Sequence, residues 1–255
     1  MKNWKENILA PLLFTVALLI LWELACRVFS LPATVLPTPT AIAKAMVQYW
    51  PAIWENSLQT LVTTLLGFAL AIVFGLALGI GIGWSKFIYG ALYPVMIAFN
   101  AIPKVAVVPI LIIWFGIGTI PAIFTAFLIS FFPIVVNVAT GLATTEPELQ
   151  DVLRALGASK LDIVRKVGIP RSMPYFFGSL KVAITLAFVG SVVSETIGAN
   201  SGLGQMMLAA QAGFNVELVF AGVMALAILG IALYAITALI EKRFTGWAFR
   251  AEGIG

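Results

Sequence analysis

The chain has 255 residues, 61% of them hydrophobic and only 10% charged, with 15 Lys and Arg against 11 Asp and Glu for a net charge of +4. A water-soluble domain carries about a quarter charged residues, so the composition excludes that class and leaves a polytopic all-α membrane protein. The lack of His and the single Cys26 remove the commonest metal ligand and proton shuttle and any intrachain disulfide.

A membrane-spanning helix needs about 20 apolar residues at a rise of about 1.5 Å each. Lys2 and Lys5 precede an apolar run that lacks a small-x-small cleavage pattern and closes near Arg27, so Ile8 to Phe29 reads as a retained first span. Glu23 and Arg27 stand four apart on one helix face and pair there. Pro32, Pro37 and Pro39 interrupt the next stretch. Thr38 followed by Pro39 reads as an N-cap with proline at the first helical position. Ile42, Met46 and Tyr49 then share a face, which predicts a short amphipathic helix on the membrane surface.

Ser57 to Trp84 is the second predicted span. Gly75, Gly79 and Gly83 fall four apart on one stripe and let another backbone approach closely, so they are read as a helix-packing face. Phe87 to Phe115 is the third and is irregular, carrying Pro94, Asn100, Pro103, Lys104 and Pro109. Broken helices at membrane depth belong where they line protein or a watery path. Thr119 to Leu142 is the fourth span. Tyr175 to Ala199 is the fifth, with Ser191, Ser194 and Glu195 near its far end. Asn200 to Glu217 is a glycine-rich outer loop, with GANSGLGQ at Gly198 to Gln205, and Leu218 to Ile240 is the sixth span.

Six spans put both termini on one side, and the basic residues choose it. An N-terminus in the cytoplasm places Lys2, Lys5, Lys86, Arg154, Lys160, Arg165, Lys166, Arg171, Lys181, Lys242, Arg243 and Arg250 inside, against Arg27 and Lys44 outside, with Lys104 within a span. Cytoplasmic loops collect Lys and Arg, so this orientation is expected.

Between the fourth and fifth spans lies a polar island, Thr145 to Pro174, holding nine charged residues. Thr145 and Glu148 make a capping box that starts one helix, which stops at Gly157. Ser159 caps a second, Lys160 to Val167, ended by Gly168 and Pro170. Leu149, Val152, Leu153 and Leu156 stripe the first, and Leu161, Val164 and Val167 the second. Small amphipathic helices of this kind suit a groove on another protein. A loop resting on the membrane surface fits the same pattern, and a DNA-reading unit fits poorly because the segment is tied between two spans.

The island resembles the cytoplasmic signature of ABC importer permeases, in which an acidic-Ala-Ala triplet stands three residues before a Gly and nine further residues lead to Ile-x-Leu-Pro. Here the triplet position reads Asp151-Val152-Leu153, the Gly is Gly157, and the closing element is Val167-Gly168-Ile169-Pro170. The two alanines are replaced, which bears on close backbone approach at Val152 and Leu153. IPKVAVVPILIIWFGIG, Ile102 to Gly118, is similar to the matching stretch of permeases for nitrate, sulfonate, taurine and bicarbonate, and the likeness extends over roughly Trp54 to Arg243.

The resemblance implies a type I ABC importer-like fold of six transmembrane helices with a cytoplasmic two-helix coupling segment between the fourth and fifth. Residues 1–56 would form the first helix and an outer amphipathic segment, 57–243 the permease core with the coupling segment at 145–174, and 244–255 a cytoplasmic tail. It implies a second permease copy as a homodimer, a cytoplasmic ABC ATPase dimer, an extracytoplasmic solute-binding protein and no nucleic acid. Asp151, Arg154, Gly157, Ala158, Ile169 and Pro170 would contact the ATPase. Asn100, Lys104, Ser191, Ser194 and Glu195 would line the substrate path. Lys104 would attract an anionic solute, pair with Glu195, or bind the carbonyls of the broken helix. The glycine-rich loop would touch the binding protein, gate the outer mouth or serve as a plain turn.

The chain itself would be non-enzymatic and without a cofactor, ATP and Mg being held by the partner. It contains no Gly-x-x-x-x-Gly-Lys-Ser/Thr phosphate loop. An ion channel or ion-coupled carrier working without an ATPase is the competing reading, and it leaves the spacing of the island unexplained. A membrane-embedded enzyme finds no catalytic constellation among the isolated acidic residues.

Overall fold

The computed structural model describes residues 4–143 and 147–246. Eleven α-helices follow one another in this part of the chain: α1 (Trp4–Val28), α2 (Pro39–Gln48), α3 (Trp50–Gly83), α4 (Lys86–Ala101), α5 (Val108–Phe115), α6 (Thr119–Ala143), α7 (Pro147–Ala155), α8 (Lys160–Ile163), α9 (Ile169–Gly198), α10 (Leu203–Ala212) and α11 (Val216–Thr245). Five helical stretches are long and apolar enough to cross a membrane. A sixth crossing arises if α4 and α5, bent by 73° at their junction, count as one span.

The centre of the bundle is α6, packed along α3 on one side and α9 on the other. Small residues set both approaches. A Cβ added at Gly75 would stand 2.9 Å from Ile134 Cβ, one at Gly79 would stand 2.7 Å from Val138 Cβ, and one at Gly83 would stand 2.8 Å from Leu142 Cβ. Each glycine and its partner advance by four residues together, so α3 and α6 run parallel with ridge set into groove. On the other side Gly190 lies against Thr125 and Ala126, and Gly141 against Ser172, so α9 runs antiparallel to α6. The helix α11 returns antiparallel to α9, as Gly230 against Phe188 and Lys181 Nζ at 2.6 Å from Glu241 Oε2 both require.

Four features depart from the sequence expectation. The short α2 has the expected Thr38 cap, whose hydroxyl accepts from Ala41 N at 3.2 Å. Its apolar face, however, packs inward: Ile42 and Ala45 are buried with Leu203, Met206, Ala221 and Ala225. It is a core element against α10 and α11, because its own chain offers an apolar partner closer than lipid. The predicted break at Gly168 and Pro170 does not occur. A single π turn, Val164–Gly168, carries α8 into α9, with the Ile169 amide reaching Val164 O. Pro170 has no N–H to lose, so the widened turn accommodates it without ending the helix. The glycine-rich outer loop is largely the helix α10, and α11 runs on to Thr245 past the charged cluster expected to stop it.

The first helix stands apart from the bundle and is mostly exposed along its apolar length. Glu23 ties it to the start of α2. Its carboxylate takes Arg27 at 2.6 Å, the Thr40 amide at 3.1 Å and the Thr40 hydroxyl at 2.9 Å, so the expected i, i+4 pair is also a helix-to-helix clasp.

Candidate functional site

Two regions concentrate polar chemistry away from the ordinary packing: the α7–α8 segment at one end of the bundle and the polar groups inside the spans. The proposed cap at Thr145 lies outside the described residues. From Pro147, α7 runs to a complete Schellman stop: the Gly157 amide donates to Arg154 O at 2.9 Å and the Ala158 amide to Leu153 O at 2.9 Å. Gly157 has φ +84°, the left-handed conformation that a side chain resists, and nothing lies within 4 Å of the position its Cβ would take.

Two residues later a capping box opens α8. Ser159 Oγ accepts from the Asp162 amide at 3.2 Å, and the Asp162 carboxylate accepts from the Ser159 amide at 3.3 Å. Stop and start are thus fixed by backbone and side-chain bonds within a dozen residues. The apolar residues on this knob point outward: Val152 is 58% exposed, Leu156 78% and Leu161 60%. Asp151 and Arg154 pair at 3.1 Å on its surface, while Ile163 is buried at the base. Lys160 Nζ stands 5.5 Å from the Trp84 ring at the end of α3, an anchoring contact with no signal in the residue pattern. Of the other named residues, Ala158 is half-buried, Ile169 exposed and Pro170 half-buried at the root of α9.

The break between α4 and α5 holds Asn100 and Lys104. Lys104 Nζ donates to Asn100 Oδ1 at 2.8 Å and to the Asn100 carbonyl at 3.3 Å, and sits 5.7 Å from the Phe132 ring. Of the partners open to it, the ammonium takes the broken-helix carbonyl rather than Glu195. Phe132 lies near the middle of α6, so this cation stands at mid-depth of the bundle, half-buried, on a face where Asn100 is exposed.

Ser191 and Glu195 come together elsewhere, between α3, α9 and α10. Glu195 is 1% exposed with four donors in reach: the Thr60 hydroxyl at 2.9 Å, the Gly204 amide at 3.0 Å, and the Thr63 and Ser191 hydroxyls each at 3.3 Å. Thr63 and Ser191 are also within bonding distance of each other, so one hydroxyl donates there and the other to Glu195. Ser194, 1% exposed, has a hydroxyl that makes no hydrogen bond within the described residues. The five residues nominated for a path are therefore not brought together: Asn100 pairs with Lys104, Ser191 with Glu195, and Ser194 bonds to neither group. Thr60 and Thr63 were missed; their i, i+3 spacing on one face of an apolar span was the available signal. Among the described residues no group of three or more Cys, Asp or Glu converges as a metal set.

Comparison with known proteins follows from this geometry. A family model described as binding-protein-dependent transport system inner membrane component matches residues 71–246. The formylaminopyrimidine transport permease protein of Halalkalibacterium halodurans is 32% identical, with 94% of this chain and 96% of that protein aligned. The putative aliphatic sulfonates transport permease protein of Bacillus subtilis is 28% identical over 98% of this chain and 90% of its own length. Among solved structures, an inward-facing MetNI methionine ABC transporter chain superposes with a TM-score of 0.64 at 23% identity, covering 74% of this chain and 94% of that one. That last likeness is one of fold.

Proposed function

The chain belongs to the family of binding-protein-dependent transport system inner membrane components, and on that premise we propose that it forms the solute path of an importer driven by a separate ATPase docked on the α7–α8 segment. The observation that carries the docking reading is the knob itself. Three large apolar side chains are exposed on a segment whose two helices are each fixed by a complete capping motif. A mobile surface loop has no need of such stops, whereas a part that must hold its shape against another protein does. Asp151, Arg154, Gly157, Ala158, Ile169 and Pro170 are the proposed contact residues.

The proposed assembly has two copies of this chain, each bearing one ATPase that holds ATP and Mg, with an extracytoplasmic binding protein delivering the solute. Residues 57–243 form the permease core, 1–56 an added helix and outer segment, and 244–255 a tail. Six crossings are supported by the parallel course of α3 and α6, which requires the bent α4–α5 pair to cross once between them. With six crossings the α7–α8 segment and both termini share the side rich in Lys and Arg, which is the cytoplasmic side of the plasma membrane. Closure of the ATPases would draw the two knobs together and tilt α6 and α9, switching the path between inward-open and outward-open packings.

The solute is inferred to be a small anion such as a sulfonate, nitrate or bicarbonate. Support comes from Lys104, a half-exposed cation at mid-depth on a helix break, where a charge without function is costly. In this reading Asn100 and Lys104 face the path and the Glu195 group forms its wall. Replacement of Lys104 by Met should depress uptake of anions with insertion intact, and unchanged uptake removes it from the path.

The docking reading is tested by Gly157→Arg. The open space at Gly157 lets the larger side chain project outward, so the strain is confined to one φ angle and costs about 1–2 kcal/mol. The variant should insert in the membrane and lose uptake together with ATPase association. Normal uptake by an inserted variant sinks the docking assignment.

A further inference from the structure

We propose that the Glu195 carboxylate is a latch that fixes α10 to α9 and α3, so that α10 moves with α9 as one body and carries displacement of the α7–α8 segment to the opposite end of the bundle. The proposal rests on the reading of that segment as the ATPase dock.

The lever comes first. Residues Lys160–Gly198 form one continuous helical stretch of 39 residues, about 60 Å at the rise of an α-helix. The capping box at Ser159 starts it and the π turn passes through Pro170 without a break. A push at α8 is therefore delivered to the far end of α9, where Glu195 stands one turn before Gly198.

The latch is built from consecutive backbone groups. The Gly202 amide donates to Asn56 Oδ1 at 2.8 Å, the Leu203 amide to Thr60 Oγ1 at 2.9 Å and the Gly204 amide to Glu195 Oε2 at 3.0 Å. Thr60 closes the circuit, accepting from Leu203 and donating to Glu195 at 2.9 Å. These are amides at the opening of α10 that have no partner within their own helix, and its positive end meets a carboxylate. No side chain separates the parts. A Cβ at Gly202, whose φ is +110°, would overlap the Glu195 carboxyl group, and one at Gly204 would stand 2.5 Å from Val192 O. The Leu203 and Gly204 bonds are buried and the Gly202 bond is partly so, so they are not readily exchanged for solvent while α10 slides and break at high cost or move together.

The opposite face of α10 is built differently. Its contact with α11 at Gly222 is made by Met206 and Met207, the side chains most able to re-pack during a slip. The tip between α10 and α11 carries Phe214, exposed to 87% and held at φ +55°. The asymmetry, hydrogen-bonded to α9 and α3 but held to α11 by apolar packing of Leu203, Met206 and Met207, assigns α10 to the moving body.

The test uses the permease with its ATPase in lipid, in a Cys26→Ser chain carrying Gln211→Cys on the exposed end of α10. The labelling rate by a membrane-impermeant maleimide is compared between nucleotide-free and ATP-vanadate-trapped states. The expected result is a rate that changes with nucleotide in the parent chain, a change lost in Thr60→Val and in Glu195→Gln but kept in Thr60→Ser, with ATPase association retained throughout. A simple loss of packing would not follow the hydroxyl in this way. An undiminished nucleotide response in Thr60→Val and Glu195→Gln overturns the latch alone. Failure of the ATPase to associate with the parent chain overturns the docking reading beneath it.

Discussion

At Gly79 a single methyl group decides whether α3 and α6 can meet. The added carbon would stand 2.7 Å from Val138 Cβ and 3.1 Å from Val135 O, well inside any ordinary contact. On the same helix Gly81 faces away, with nothing within 4 Å. Gly79→Val should therefore lower stability by about 1–3 kcal/mol or more through overpacking, whereas Gly81→Ala should be neutral or raise it by up to about 1 kcal/mol. Thermal unfolding of the two variants in detergent reads the difference, and equal melting temperatures contradict the packing face. The stripe of Gly75, Gly79 and Gly83 was legible from spacing alone because helical period fixes which residues share a face. Its partner was not, since nothing in the pattern says which apolar helix fills the groove. The same limit hid Thr60, whose role exists only through partners more than a hundred positions away, Glu195 and the Leu203 amide.

The elements divide by how local their signals are. Caps were readable: Thr38, Gly157 and Ser159 act through bonds to neighbours a few residues away. Stops were not. Pro170 and the charges at Glu241 to Arg243 read as ends, yet the π turn carries one helix through and α11 extends past the other. Part of the reason for the second is tertiary. Glu241 is paired at 2.6 Å with Lys181 of α9, and the two side chains are only 12% and 28% exposed. This pair gives an element-level prediction. Lys181→Met leaves a largely buried carboxylate without its cation and should destabilise the α9–α11 contact by about 1–3 kcal/mol, discounted from the fully buried case for residual solvent. Lys181→Met with Glu241→Gln should recover most of that loss, as a double-mutant cycle in detergent would show; additive losses contradict a direct pairing. The glycine-rich stretch at Gly198 to Gln205 was half legible. Dense glycine reads as a turn, and residues 199–202 do turn, with Gly202 at φ +110°. The pattern did not show that Gly202 and Gly204 are also small because a carboxylate and a carbonyl occupy the space of their side chains.

For the whole molecule, the direction of each long helix is set by who packs on whom. The helices α3 and α6 are parallel and α9 opposes both, an arrangement that makes α6 the hub and places the capped knob at the junction of α6 and α9. A force on that knob reaches the bundle centre and, through the unbroken helix into α9, its far end. Composition alone sufficed for the class, and the island spacing for the family; the route from knob to far end needed the three-dimensional packing. The chain is expected to transport only as part of an ATP-driven assembly. The direct measurement is uptake into proteoliposomes by the chain reconstituted alone, with its ATPase, and with both the ATPase and the binding protein. ATP-dependent uptake is expected only in the last case, with none by the chain alone; uptake by the chain alone down an ion gradient without ATP would overturn the importer reading.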